Sequence, residues 1–528
     1  MVKPKNSPYI VGIDLGTSNS TAAIFSKGEA IVIPIDGKPL LPSVVHMRDT
    51  GEFLVGYPAK NQLLIDPENT VASVKREMGN SNFEKEFKGQ PGKQFTPTDL
   101  SAEILAKIRS GIDQAGTVDL RGSLRFAVIC IPANFDDTKK QATLEAGRLA
   151  GFEVIRLLEE PVAAAIAYAV EAKRDQKIMV FDLGGGTFDV SILNVDSTDE
   201  GESQFHVLAK EGIPDLGGDD FDRVIMDMVA KDFQEKSGVD LFDLKKDQGI
   251  NRKALRQAQQ KLKEAAEIAK LELSEADSSE ILVPNFIKDE SGTVHNIEFE
   301  TSREQFENLV RELLAKTRAT MEKALENSNL SIDDISRIIL VGGSTKVPLV
   351  REVVTEMFDK EPYGDLDPAT AVARGAAIMG AALGVPAEDL GETAEANPED
   401  SPEIKIEITD IVTHYLGIQV ANRRFSKVLE KGLEIPAESG LIQEQEFTTQ
   451  RDDVTDVQIS VYQAPEDPEY VTDEGCVCLG DFFLTGLPPK KKGEVCINVK
   501  FEINQQNLLS VSANLKGEKG VKIDIDRS

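Results

Sequence analysis

The sequence predicts an α/β protein of two related lobes, followed by an acidic linker and a separate all-β domain of sandwich type. Three observations predict it. β-branched runs alternate with helical patterns as far as about residue 384. The stretches "VGIDLGTSNST" (residues 11 to 21) and "VFDLGGGTFDV" (180 to 190) repeat one design of apolar run, Asp, Leu, Gly and hydroxyl residue. From about residue 405 the period-two segments "KIEITDIV", "LGIQVAN", "VTDVQISVYQ" and "EVCINVKFEIN" take over with almost no helical period.

Length and composition bound the reading. At 528 residues the chain exceeds what one core serves. A formal charge of −31 disfavours nucleic acid and anionic membranes as partners. Lys490, Lys491 and Lys492, after two prolines, read as a solvated turn. Cys130, inside "FAVICIP", reads as a buried thiol in a reducing compartment, and Cys476, Cys478 and Cys496 lack a fourth metal ligand. The first apolar stretch is broken at Asp14 and no run is long enough to span a membrane, so a cytoplasmic protein is expected.

In chain order, "YIVGIDLGTSNSTAAIF" is a strand, turn and strand with Asp14, Gly16, Thr17, Ser18 and Asn19 at the turn. "IMVFDLGGGTFDVSIL" repeats it with Asp182, Gly184, Gly185, Gly186 and Thr187; its glycines are expected to supply positive φ angles and to let backbone N–H groups crowd an anion. One such unit is an ordinary tight hairpin. Two, each with an acid, suggest lobes that present phosphate loops to one polyphosphate and its Mg²⁺. No Walker A spacing occurs. "DLGGDDFDR" (Gly217, Gly218, Asp219) is a further glycine turn, and "IILVGGSTKVP" (Gly342, Gly343, Ser344) follows a strand and is expected to open a helix. Between them, "RKALRQAQQKLKEAAEIAKLELSEA" is a long helix that sets Glu267, Lys270, Leu271 and Ser274 on one face. Residues 385 to 409 read as a solvated linker between a domain at 1 to 384 and a β domain at 410 to 528.

Taken in order, "GIDLGTSNS", "NTVASVKREMG", "IPANFDDTKKQATLEAG", "LLEEPVAAAIAYA", "VFDLGGGTFDVSIL", "LGGDDFD", "LVGGSTKVP" and "DPATAVARGAA" resemble the actin-like ATPase superfamily. Within it they resemble the DnaK-type heat-shock chaperones of the seventy-kilodalton class, nearest in feel to shorter members of the HscC type. The resemblance covers residues 9 to 384 and continues through "FTTQRDDVTDVQISVYQ" and "GDFFLTGLPPKKKGEVCINVKFEINQQNLLSVSA". It implies a two-lobed actin-like, duplicated ribonuclease-H-like ATPase followed by a β-sandwich peptide-binding domain, with ATP/ADP, Mg²⁺ and an optional K⁺ as cofactors.

Carried over by motif, Asp14 and Asp182 would hold hydrated Mg²⁺, while Thr17, Gly184, Gly185, Gly186 and Thr187 would line the phosphates. Lys75 would be the catalytic lysine, with Glu160 and Asp189 as further acidic positions. Without the resemblance, Lys75 reads as a surface lysine and Glu160 as one of an exposed Glu-Glu pair. The face of Glu267, Lys270, Leu271 and Ser274 would hold ribose and adenine, completed by Gly342, Gly343, Ser344, Lys346 and Asp367. Lys346 stands where the family commonly stacks an arginine on adenine, and Leu271 where some members carry another.

In the β domain Ile418, Val420, Phe447, Val457 and Ile459 match the family's pocket for an extended apolar chain, although the residues alone read as core. Ala421 and Gln450 replace the usual Met and Ala of the arch. Pro132, Lys140 (for the family's arginine) and Asp410 match interdomain coupling positions. Ile406, Glu407, Ile408 and Thr409 replace a leucine run, yet "IKIEI" still allows strand addition to the ATPase domain. The chain stops at Ser528 without the family's helical lid, from which fast peptide exchange is expected. The implied function is an ATP-dependent chaperone, a slow peptide-stimulated ATPase acting on unfolded polypeptides with a J-domain cochaperone and a nucleotide-exchange factor. Competing readings are a nucleotide-insensitive holdase or adaptor, a small-molecule kinase and an actin-like filament protein.

Overall fold

A computed structural model describes residues 6–172, 176–197, 202–243, 249–385, 405–437, 439–504 and 507–515. Most of the acidic linker sequence and the chain end "GVKIDIDRS" lie outside them.

In the first lobe, strands β1 (Ile10–Asp14), β2 (Asn19–Ser26) and β3 (Glu29–Val32) form an antiparallel meander, and β4 (Phe126–Ile131) and β5 (Glu153–Glu159) extend it parallel to β1. The second lobe repeats the scheme: β6 (Gln176–Leu183), β7 (Phe188–Ser197) and β8 (Glu202–Ile213) form the meander and β9 (Arg337–Val341) lies parallel to β6. The duplication read from two glycine loops is thus a duplication of whole sheets. β10 (Lys405–Ile411) adds parallel to the edge of β8.

The β domain comprises β11 (Tyr415–Gln419), β12 (Phe425–Leu429), β13 (Glu434–Ile435), β14 (Leu441–Thr448), β15 (Asp456–Ala464), β16 (Val477–Thr485), β17 (Cys496–Ile503) and β18 (Leu509–Leu515). Sheets ordered β12-β11-β15-β16 and β14-β17-β18 face each other across Leu416, Ile418, Ile459, Val461, Phe482, Ile497, Val499, Phe501 and Val511. β13 leaves this sandwich to pair with β10, so the second lobe's sheet runs β9-β6-β7-β8-β10-β13.

Helices cover the lobes where the sequence supplies caps and stripes. α1 (Pro97–Ala115) starts on a Thr96/Asp99 capping box and stops at left-handed Gly116. α2 (Asp137–Leu149) is capped by Asp136, and α3 (Glu160–Ala172) follows β5 directly. α4 (Gly218–Ser237) and α5 (Arg252–Glu275) cover the second lobe; α5 buries Leu255, Ala258, Leu262, Ala266, Ala269 and Leu273 at helical spacing. α6 (Arg303–Asn327) and α7 (Pro348–Phe358) pack beside them.

α8 (Ala371–Leu383) crosses α3 between the lobes, where both are rich in alanine. A Cβ on Gly375 would sit 1.7 Å from the Ala163 carbonyl oxygen, so only glycine permits that approach. Ile408 and Ile411 of β10 join the same inter-lobe core, with Ile406 against it. Among the described residues no helix is long and apolar enough to cross a membrane.

Candidate functional site

The two hairpin turns meet across the inter-lobe cleft. Asp14 ends β1 opposite Thr21, and Asp182 is paired with Asp189 across the β6–β7 hairpin, so the register alone brings acids to both turns. Between them is a cavity of ≈ 630 Å³ lined by both turns, Lys75, Glu160, the outward face of α5 and the Gly342–Lys346 segment.

The second turn differs from expectation. None of Gly184, Gly185 and Gly186 has a positive φ. At Gly185 and Gly186 the lack of a side chain serves close approach instead. A Cβ on Gly185 would lie 2.0 Å from Ser18 Oγ of the first turn, and one on Gly186 would lie 2.4 Å from Arg76 Nε. A Cβ on Gly217 would reach the Gly186 amide nitrogen at 2.5 Å. The Gly218 and Asp219 amides donate to the Gly184 and Gly185 carbonyls at 2.9 and 2.8 Å, locking the "LGGDD" turn onto the hairpin. Positive φ occurs instead at Gly342 (+85°), where a Cβ would meet the Leu183 carbonyl oxygen at 2.3 Å. The turn after it is a short 3₁₀ segment, Gly343–Lys346, and α7 begins only at Pro348. Ser344 Oγ donates to the Gly184 carbonyl at 2.7 Å.

At the cleft floor Lys75 Nζ lies 2.5 Å from Glu160 Oε1, both side chains buried. The exposed readings of Lys75 and of the Glu-Glu pair are therefore wrong; Glu159 and Glu160 are both buried and point to different partners. Burial alone would lower the Lys75 ammonium, but Glu160, Asp14 and Asp182 outweigh it and hold it above its ordinary value. The acids outnumber it. Desolvation, then Glu160, pushes Asp14 up to about 7; Asp182 is pushed well above the usual carboxylate range by burial, Glu160, Asp189 and Asp14. Asp189, held by Asn134 Nδ2 at 2.8 Å, is likewise raised to about 7, chiefly by burial.

Such an excess of carboxylate suits an arriving cation. Among the described residues no three His, Cys, Asp or Glu side chains form a ligand cluster. A Mg²⁺ at Asp14 and Asp182 would therefore keep waters and phosphate oxygens as its other ligands, as that ion prefers.

On the adenosine side, Glu267, Lys270, Leu271 and Ser274 all line the cavity. Glu267 reaches across the cleft to Lys60 at 2.8 Å, Lys270 pairs with Asp222 at 2.7 Å, and Leu271 is exposed. Lys346 lines the cavity and pairs with Asp367 at 3.2 Å; Asp367 lies beside the lining residues Pro368 and Ala369. Gly186, Gly217 and Asp189 stand behind the wall rather than on it.

Sequence reasoning missed Lys60, Asp222 and Arg76. Arg76 Nη2 lies 3.5 Å from Asp220 and 3.9 Å from Asp219, joining the lobes, while its buried Nε has no hydrogen-bond partner. Its position next to Lys75 was the one available signal.

The β-domain candidates separate by depth. Ile418 and Ile459 are buried in the sandwich core, Val420, Phe447 and Val457 pack half-buried against it, and Ala421 and Gln450 are exposed. Among the coupling candidates, the Pro132 carbonyl accepts from Phe135 N–H in the turn that carries Asn134. Lys140 is buried and donates to the Asn507 carbonyl, and Asp410 pairs with Lys210.

The Hsp70 protein family model matches residues 10–528. The "Chaperone protein DnaK" of Thermotoga petrophila and that of Thermotoga maritima are each 40% identical to the chain over 508 residues, 96% of this chain and 78% of the relative. That of Thermosipho africanus is 39% identical over the same share of this chain and 77% of the relative. Similarity that runs through both the ATPase lobes and the β domain does not favour the kinase, filament or holdase readings. With the paired hairpins, the buried Lys75–Glu160 pair and the appended sandwich all inside that match, the chain belongs to the Hsp70 family.

Proposed function

We propose that the protein is an ATP-dependent molecular chaperone that hydrolyses MgATP in the inter-lobe cleft and holds extended apolar polypeptide in the β domain. The observation that carries this is the buried Lys75–Glu160 pair between the two acid-bearing hairpins. In this reading Asp14 and Asp182 hold Mg²⁺ largely through water, and Thr17, Gly184, Gly185 and Thr187 receive the phosphates. Lys75 places the attacking water and offsets charge on the transferred phosphoryl group, while Glu160 and Asp189 orient it. Glu267, Lys270, Leu271, Ser274 and Lys346 hold the nucleoside.

Hydrolysis is slow and peptide-stimulated. Val420, Phe447 and Val457, half-buried at the sandwich margin, offer the apolar contact, with backbone hydrogen bonds gripping any extended chain. A J-domain cochaperone and an exchange factor drive the cycle in the cytoplasm. The test is single-turnover ATP hydrolysis with and without an unfolded apolar peptide, run beside Lys75→Ala. Stimulation in the parent and loss of turnover in the variant support the reading; equal turnover in both overturns it.

A further inference from the structure

On its first-lobe side the inter-lobe cavity is walled in part by a single helical turn, Tyr57–Lys60. Gly56 leads into the turn at φ +80°, its amide donating to the Val44 carbonyl at 3.0 Å, and Pro58 supplies a fixed φ at the helical start. The turn closes where the Lys60 amide donates to the Gly56 carbonyl at 2.8 Å. Tyr57 and Lys60, at i and i+3, share a face, and both line the cavity. Lys38 Nζ stands 3.8 Å from the centroid of the Tyr57 ring, which occupies one ring face and holds the plane of the ring.

Contacts with α5 set the direction of this wall. Lys60 Nζ meets Glu267 Oε2 at 2.8 Å, the Ile65 carbonyl accepts from Gln257 Nε2 at 3.3 Å, and Glu68 Oε1 lies 3.5 Å from Arg256 Nη1. Residue numbers therefore rise along the wall as they fall along α5. Tyr57, one turn before Lys60, is set towards the end of α5 that carries Leu271 and Ser274. Leu271 is 57% exposed and offers aliphatic carbon, while Lys346 offers a point charge held by Asp367. Among the described residues that line the cavity, Tyr57 is the one aromatic ring, and no arginine is present.

We propose that Tyr57 is a specificity-determining residue that covers the nucleobase from the first lobe, with the Leu271 side chain on the opposite face of the base. This rests on the nucleotide-cleft reading above and adds what selects the base. A base between an aromatic ring and an aliphatic side chain buries both of its faces, and stacking on the ring needs no particular hydrogen-bond pattern. A purine lays two fused rings on that surface and a pyrimidine one. The site therefore prefers adenine and guanine nucleotides to those of cytosine and uracil. The phenol oxygen has no part in the contact, so phenylalanine serves as well as tyrosine.

The test measures binding of MgADP, of MgCDP and of magnesium tripolyphosphate, which has no base, to the full chain. Tyr57→Leu should weaken MgADP roughly tenfold, the usual worth of one base–aromatic stack, and leave tripolyphosphate unchanged. MgCDP should lose less, so that the purine preference narrows. Tyr57→Phe should bind all three like the parent. The chain has no tryptophan, so Tyr57→Trp introduces a single reporter, whose emission MgADP should quench and tripolyphosphate should not. Parent-like MgADP affinity in Tyr57→Leu, an equal loss for MgADP and tripolyphosphate, or emission from Tyr57→Trp that answers both ligands alike overturns the proposal. A parent that binds MgADP but hydrolyses no ATP ends the ATPase reading and leaves the base contact to these titrations. A parent that binds no MgADP ends both.

Discussion

Lys75 is set where three carboxylates compete for one ammonium, and that imbalance makes its removal specific. Lys75→Ala should slow single-turnover hydrolysis by ~10²–10³-fold, the usual loss for a charge-stabilising group. Nucleotide affinity should change far less, because the glycine turns and α5 remain; rapid-quench kinetics beside equilibrium titration separate the two. Unaltered hydrolysis would remove Lys75 from the site. Lys346 offers the reverse experiment. Its ammonium is half-exposed and held by Asp367, so it presents a point charge where a planar group could stack. Lys346→Arg should tighten ATP binding by about 0.5–1 kcal/mol in calorimetry. A weaker or equal affinity would mean that adenine does not lie against this residue.

Among elements, the glycine loops were the most legible feature of the sequence, yet for the wrong physical reason. Gly185 and Gly186 are needed for clearance between loops, and clearance depends on a partner loop that no local pattern reveals. Contrasting substitutions follow. Gly217→Ala drives a methyl into the Gly185–Gly186 backbone and should cost about 1–3 kcal/mol in nucleotide-free thermal unfolding. Gly184→Ala, whose new atom meets nothing nearer than 3.8 Å, should unfold like the parent. Equal melting of both would contradict the packing account. Strands, helix α5 and its polar face were likewise readable from period and propensity. Lys210 was not. It alternates along an ordinary strand, and its meaning depends on β5 and β10 reaching it from distant parts of the chain.

At the scale of the whole molecule, β10 and β13 make one sheet continuous from ATPase lobe to β domain, so acid sensitivity at the junction is a property of both. His414 is pushed down to about 4 by burial and by Lys140 and Lys431. A base with a lowered pKa is accepted neutral, so stability is intact above ~6.5 and is lost as pH falls towards 4. The loss is at most about 3 kcal/mol before solvent screening. His414→Gln should flatten that part of a urea-unfolding pH profile; a slope identical to the parent's would place the acid response elsewhere. The pairing of β10 has a further result. Ile408 is buried in the inter-lobe core, Ile406 packs against it from the same face of the strand, and Glu407, on the other face, takes Gln204 Nε2 at 3.2 Å. A slip of one residue would exchange those faces, putting Glu407 into hydrocarbon. The strand therefore seats on the edge of β8 in one register only, and a neighbouring register is not a weaker version of the same contact but the burial of charge.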